Sequence, residues 1–183
     1  MNKYPHLFEP IQIGETVVKN RVFMPPISTN LANKGYITDE LVSHYAARAK
    51  GGVGLIITEV TTVEPTYIYL PGDISIADDS YIPGWKKLAD AVHTYGAKIM
   101  PQLFHPAYMA FPLPGTPQLI APSTVGPSYL KQAPRPVTIE ELKVIIKQFG
   151  EAAARVKQAG GEWCRNSRCT CTWLIRWLLI TFV

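Results

Sequence analysis

The segment Val53-Gly54-Leu55-Ile56-Ile57-Thr58-Glu59-Val60 constrains the fold more than any other part of the chain. It is a nearly continuous aliphatic run. It lacks the polar alternation of an antiparallel strand with one face in water. Such a run reads as a strand covered on both faces, which is the condition of strands in parallel sheets flanked by helices. Glu59 is the one charged residue in it, and by itself it reads as a core-edge carboxylate with no assigned chemistry.

The flanking residues repeat one phrase. Before the run, Thr38 is placed to cap a helix that carries Leu41, Val42, Tyr45, Ala46 and Ala49 at helical spacing, and Gly51-Gly52 ends it. After the run, a second helix from about Gly84 to Tyr95 presents Trp85, Leu88, Ala89 and Val92. Gly96 then leads into a strand over Lys98–Phe104. Thr138-Ile139-Glu140-Glu141 is a capping box, in which the threonine oxygen and the glutamate carboxylate satisfy each other's backbone amides. It opens a third helix bearing Leu142, Ile145, Ile146, Phe149, Ala153 and Val156, closed by Ala159-Gly160. A shorter β-rich run, Asn20–Met24, precedes all of this and stops at Pro25-Pro26. Between Phe104 and Thr138 lies a proline-rich stretch (Pro106 to Pro136), a length of loop that is commonly functional.

Alternating buried strands and helices predict an α/β fold with a parallel sheet. No glycine-rich phosphate fingerprint follows the first strand, which disfavours a dinucleotide-binding doubly wound sheet. Polar and proline-rich residues gather after each strand's C-terminal end, where (βα)8 barrels carry their active sites. The expectation is therefore the N-terminal portion of a TIM barrel, about three βα units, over residues 1–160. The net charge of +4 is dispersed, with no Lys/Arg run, so no nucleic-acid partner is expected. The N-terminal MNKYPHLFEP has no apolar leader, and residues 1–160 have no cysteine. A cytoplasmic protein without a membrane segment is expected. His6, His44 and His93 read as surface residues. An aldolase-like barrel would need a lysine at a strand's C-terminal end, and the only strand lysine, Lys98, stands at a strand start.

Several segments, in order, resemble the Old Yellow Enzyme family, the FMN-dependent NADH:flavin oxidoreductases. They are Leu7-Phe8-Glu9-Pro10, Lys19-Asn20-Arg21-Val22-Phe23-Met24-Pro25-Pro26-Ile27-Ser28, Gly51 to Glu59, Gln102-Leu103-Phe104-His105, Ala121-Pro122-Ser123 and Thr138 to Leu142. The branch most similar is that of the 2-enoate and 2,4-dienoyl-CoA reductases. The resemblance implies FMN as cofactor and NADH or NADPH as reductant. It implies an enone, enoate or enoyl-CoA as small-molecule substrate. It places Pro26, Ile27 and Ser28 on a loop along the flavin ring, with the Ser28 hydroxyl near the flavin O4/N5 edge. Val60 would make a backbone contact to the ring, and the Gln102 amide would pair with the pyrimidine edge. Read without the family, Gln102 is a hydrogen-bonded core amide and Ser28 a turn residue. Relatives carry a His-Ala-Gly-Arg sequence where this chain has His105-Pro106-Ala107-Tyr108, so their flavin-binding arginine has no counterpart here.

The final residues change character. All three cysteines (Cys164, Cys169, Cys171) and three tryptophans (Trp163, Trp173, Trp177) fall after residue 160. In the family a fourth strand of the form G-V-E-I-H-x-A-H follows, carrying a substrate-binding histidine pair, with the proton donor nearby. Neither is present here, so no catalytic residue is assigned. Codons compatible with residues 161–173, read one nucleotide later, permit A-N-G-V-E-I-H-G-A-H-V-H-G, with glycine forced by each tryptophan codon. We therefore expect an aberrant, frameshifted tail over 161–183 and a chain inactive by itself. The alternative is a non-enzymatic truncated product that binds no flavin. The cysteine spacing does not match a zinc site, and the apolar stretch after Trp173 is too short to span a bilayer.

Overall fold

The computed structural model describes residues 4–111, 115–125 and 132–162. An antiparallel hairpin, β1 (Ile11–Ile13) and β2 (Thr16–Val18), comes first, and Gly14 turns it with φ +59°. The sequence reading did not anticipate this hairpin, because three-residue strands carry too little periodicity to register. The central sheet is parallel. β4 (Leu55–Thr62) pairs with β6 (Lys98–Phe104) along most of its length. On its other edge it pairs with β3 (Phe23–Met24) near its start and with β5 (Ile74–Ser75) near its end. The expected first strand is thus shorter than Asn20–Met24. Asn20 instead closes a turn: its side-chain nitrogen donates to the Gly52 carbonyl (2.8 Å), and its oxygen accepts from the Val22 amide (3.0 Å).

Three helices cover one face: α1 (Asp39–Lys50), α2 (Ile82–His93) and α3 (Ile139–Gln158). Their starts are locally determined. The Thr38 hydroxyl accepts from the Leu41 amide at 3.2 Å. The Thr138 capping box is complete, with Glu141 N–H donating to Thr138 Oγ1 (3.2 Å) and Thr138 N–H donating to Glu141 Oε2 (2.9 Å). The core between sheet and helices holds Leu41, Tyr45, Ile56, Trp85, Ile99 and Phe149. Trp85 satisfies its indole N–H on the Ser75 carbonyl at 3.0 Å, as a buried tryptophan requires. On the opposite face Val18, Leu55 and Met100 form a second cluster, flanked by Ile11, Ile13 and Ile57. The hairpin therefore plugs the helix-free face of the sheet toward the strand starts.

Two irregularities matter for function. The β4–β6 register slips between Ile57 and Val60, so one extra β4 residue is accommodated as a bulge. The bulge frees the Glu59 amide, which donates to the Tyr45 hydroxyl on α1 at 3.0 Å. The proline-rich stretch, expected as loop, also contains a short parallel pair, β7 (Ile120–Ala121) with β8 (Arg135–Pro136). Residues 112–114 and 126–131 lie outside the described residues.

After α3 the chain returns to the edge of β6 away from β4, where Glu162 N–H donates to the Ile99 carbonyl at 2.8 Å. The Glu162 carboxylate accepts from the Ile99 amide (2.7 Å) and lies near His93 Nε2 (3.0 Å) and Lys98 Nζ (2.9 Å). His93 is therefore a half-buried partner of Glu162 rather than a plain surface residue. His44 is half-buried as well. The expected aberrant tail over 161–183, with its cysteines, falls outside the described residues from Trp163 onward. Among the described residues no helix is long and apolar enough to cross a membrane, and no cluster of ligands suited to a metal occurs.

Candidate functional site

The C-terminal ends of the parallel strands and the loops beyond them collect the polar side chains of the sheet. Val60 and Gln102 are register partners on β4 and β6. Both are half-buried, whereas most neighbours on these strands are buried. The Gln102 amide makes no hydrogen bond to any described residue. Pro101, beside it, sits where a strand proline is tolerated. Lys98 N–H donates toward β4 and Ile99 N–H points to the opposite edge, so the alternation puts the missing Pro101 N–H on the edge away from β4.

The loop after β3 passes across the end of β4. Ile27 is 63% exposed on it, and Pro26 and Ser28 are half-buried. Ser28 lines an open cavity of about 450 Å³ with Met24, Ile27, Thr29, His44 and Arg48. This loop is held from below. Glu59 Oε2 accepts from the Thr29 amide at 2.6 Å. Asn30, in the left-handed region at φ +58°, accepts the Gly72 amide on its side-chain oxygen at 2.8 Å, and the Gly72 carbonyl accepts from Ala32 N–H at 2.9 Å. The approach at Gly72 admits only glycine, because a Cβ there would stand 2.4 Å from Asn30 Oδ1 and 2.5 Å from its carbonyl oxygen. Ser28 itself lies beside the Asp73 carboxyl and favours its ionised form.

Burial controls the titration of these groups. Desolvation pushes Asp73 up to about 6, against the Ser28 contact that pulls it down. Desolvation likewise raises Glu59 and Glu64 above the usual carboxylate range. Glu64 anchors the loop after β4 by accepting from the Thr66 amide (2.9 Å) and the Tyr67 amide. Past β6, His105 is buried and held down to about 4 by desolvation, so it is neutral. Its Nδ1 accepts from the Ala107 amide at 3.1 Å, and its ring lies 5.7 Å from that of Tyr67. Ala107 occupies φ +51°, a conformation costing a non-glycine residue about 1–2 kcal/mol. It stands at the glycine of the His-Ala-Gly-Arg pattern.

The structure thus brings Val60 and Gln102 together and sets the loop of Pro26, Ile27 and Ser28 above the end of β4. The sequence reading assigned no chemistry to Glu59 and passed over Asp73. The signal for Glu59 was present, a lone carboxylate within an apolar strand run. Asp73, in a loop, offered none.

The sequence profile of the NADH:flavin oxidoreductase / NADH oxidase family matches residues 6–163. The chain belongs to that family. It is 43% identical over 162 residues to an NADH oxidase of Thermoanaerobacter brockii, covering 87% of this chain and 25% of that protein. It is 36% identical over 156 residues to an NADPH dehydrogenase of Listeria monocytogenes, covering 84% of this chain and 45% of the relative. Among solved structures it resembles morphinone reductase in complex with tetrahydroNAD (TM-score 0.78, 28% identity, 86% of this chain and 47% of that one). It also resembles an Old Yellow Enzyme from a Pichia species (TM-score 0.76, 28% identity, 85% and 44%). The fold is the N-terminal portion of a TIM barrel, and the chain spans less than half the length of these relatives. FMN, with NADH or NADPH as reductant, is the cofactor set of this family.

Proposed function

We propose that this chain is the N-terminal part of an FMN-dependent NAD(P)H oxidoreductase acting on activated alkenes, and that it contributes one wall of the flavin site. The observation that carries the reading is Gln102: a half-buried amide, with no hydrogen bond to a described residue, opposite Val60 toward the strand ends. An amide offers one donor and one acceptor, as the pyrimidine edge of a flavin requires. The exposed apolar Ile27 fits a planar ring, and the Ser28 hydroxyl fits the polar edge beside it. FMN, when bound, would supply the hydride chemistry, from NAD(P)H and onward to the β-carbon of an enone, enoate or enoyl thioester. In this reading Pro26 and Ile27 position the ring, Val60 approaches it through backbone, and Gln102 fixes its orientation. The 2-naphthoyl-CoA reductase among the solved relatives favours a thioester substrate.

The described residues carry three βα units of the eight that close a barrel, and barrel phosphate sites are commonly built after strands seven and eight. We therefore read the 183-residue chain as inactive by itself. We read 161–183 as the family's fourth-strand coding sequence in a shifted frame. Sequencing the locus tests this directly: an intact reading frame with no family-like sequence one nucleotide later would refute it. The flavin reading is tested by titrating FMN into the chain and into a frame-restored full-length protein, following flavin fluorescence and absorbance. Failure of the restored protein to retain FMN would refute it.

A further inference from the structure

The segment from Ser28 to Leu31 is tied to helix α1 at two points by a closed circuit of hydrogen bonds. Glu59 stands at its centre. The Glu59 backbone amide, freed by the β4 bulge, donates to the Tyr45 hydroxyl on α1 at 3.0 Å. The Glu59 side-chain oxygen Oε2 accepts from the Thr29 amide at 2.6 Å. The Thr29 hydroxyl then accepts from the Leu31 amide (3.3 Å), and the Leu31 carbonyl accepts from the Thr38 hydroxyl (2.8 Å). The Thr38 oxygen in turn accepts from the Leu41 amide at 3.2 Å. Leu41 and Tyr45 are both buried and lie one helical turn apart on the same face of α1, which closes the circuit.

A carboxyl group is an unfavourable choice for this place unless it does something specific. Glu59 is fully buried, and among the described residues no Lys, Arg or His forms an ion pair with it. Its own backbone is pinned on both sides, because its carbonyl also accepts from the Thr61 hydroxyl at 3.1 Å. The side chain therefore reaches the loop from a fixed base. What it grips is the peptide that joins Ser28 to Thr29. That peptide is planar, so the direction of the Thr29 N–H also sets the Ser28 carbonyl and the Ser28 Cα from which the hydroxyl hangs.

We propose that Glu59 and Tyr45 are positioning residues: Tyr45 fixes Glu59 against α1, Glu59 fixes the Ser28–Thr29 peptide, and the Ser28 hydroxyl is thereby held in place before any ligand arrives. A loop set in advance loses no further freedom when a ligand binds along it. The consequence for a bound flavin rests on the loop lying along the ring, as proposed above. The preset loop itself does not.

Amide hydrogen exchange, read residue by residue on the full chain, compares wild type with Glu59→Ala, Glu59→Gln and Tyr45→Phe. Glu59→Ala is expected to speed exchange at Thr29 by about tenfold or more, with the amides shared by β4 and β6 unchanged. Glu59→Gln keeps an acceptor for Thr29 and is expected to stay within about threefold of wild type. Tyr45→Phe is expected to speed both the Glu59 and the Thr29 amides. If the alanine variant does not fold, Tyr45→Phe carries the test alone. A Thr29 amide unprotected in wild type, unmoved in Tyr45→Phe, or accelerated only as much as the whole sheet would overturn the proposal. In the frame-restored protein, the flavin absorption maximum and reduction potential separate the two readings. Glu59→Ala and Ser28→Ala are expected to shift both in the same direction, and the double variant no further than the larger single shift. Additive shifts would overturn the action of Glu59 through Ser28. A Thr29 effect with unmoved flavin properties retains the preset loop and sinks its placement along the ring. Failure to hold FMN at all sinks the flavin reading and leaves the exchange result standing.

Discussion

Glu162 and Ile99 exchange two hydrogen bonds at the edge of β6 away from β4: the Glu162 amide donates to the Ile99 carbonyl at 2.8 Å, and the Ile99 amide donates to the Glu162 carboxylate at 2.7 Å. This is where a fourth parallel strand begins in a barrel. The side chain satisfies a backbone donor that a neighbouring strand would otherwise meet.

Replacing Glu162 by alanine is therefore expected to destabilise the chain by about 1–3 kcal/mol, because it strands the Ile99 amide and also removes the partner of Lys98 and His93. Urea denaturation measures this. Glu162→Gln, which keeps an acceptor for Ile99, is expected to recover most of the loss.

Gln102 predicts the opposite pattern. Its amide makes no hydrogen bond to a described residue, so Gln102→Leu is expected to leave stability within about 0.5 kcal/mol of wild type. In the frame-restored protein the same substitution is expected to weaken FMN binding by tenfold or more, about 1.4 kcal/mol. A large stability loss in the short chain would return Gln102 to the role of a core amide.

Gly72→Ala is expected to cost about 1–3 kcal/mol, because the new methyl would meet Asn30 and the clamp must open. The displacement should register as faster amide exchange at Thr29 and Ala32, with exchange in α2 unchanged.

His105 supplies a pH prediction of definite sign. Burial holds it at about 4, below its ordinary 6.5, so the native state binds fewer protons than the unfolded chain between these values. Its contribution to stability is present above pH 6.5 and is lost as pH falls toward 4. Asp73, raised to about 6, acts in the opposite sense over an overlapping range. His105→Gln is expected to remove the acid-side loss, so that unfolding midpoints of variant and wild type diverge below about pH 6.

Much of this was legible in the sequence because it rests on local rules. The capping box at Thr138, the Thr38 cap, the buried stripe of α2 and the two long parallel strands follow from side-chain oxygens and periodicity within one element. The short strands β1, β2, β5, β7 and β8 were not legible, because two or three residues have no period and form only when a distant segment offers its edge. The family resemblance marked Pro26, Ile27, Ser28, Val60 and Gln102, but it was silent on what lies behind them.

The sequence by itself determined a parallel α/β sheet, its helices and the family. Tertiary structure alone decided that Gln102 makes no hydrogen bond to a described residue, that Glu162 docks on Ile99, and that Glu59 is buried beneath the loop it holds through Thr29. Those relationships join residues far apart in the chain. They depend on the β4 bulge and on the close approach of Gly72 to Asn30, and desolvation at such contacts is a property of the packed sheet rather than of any one segment.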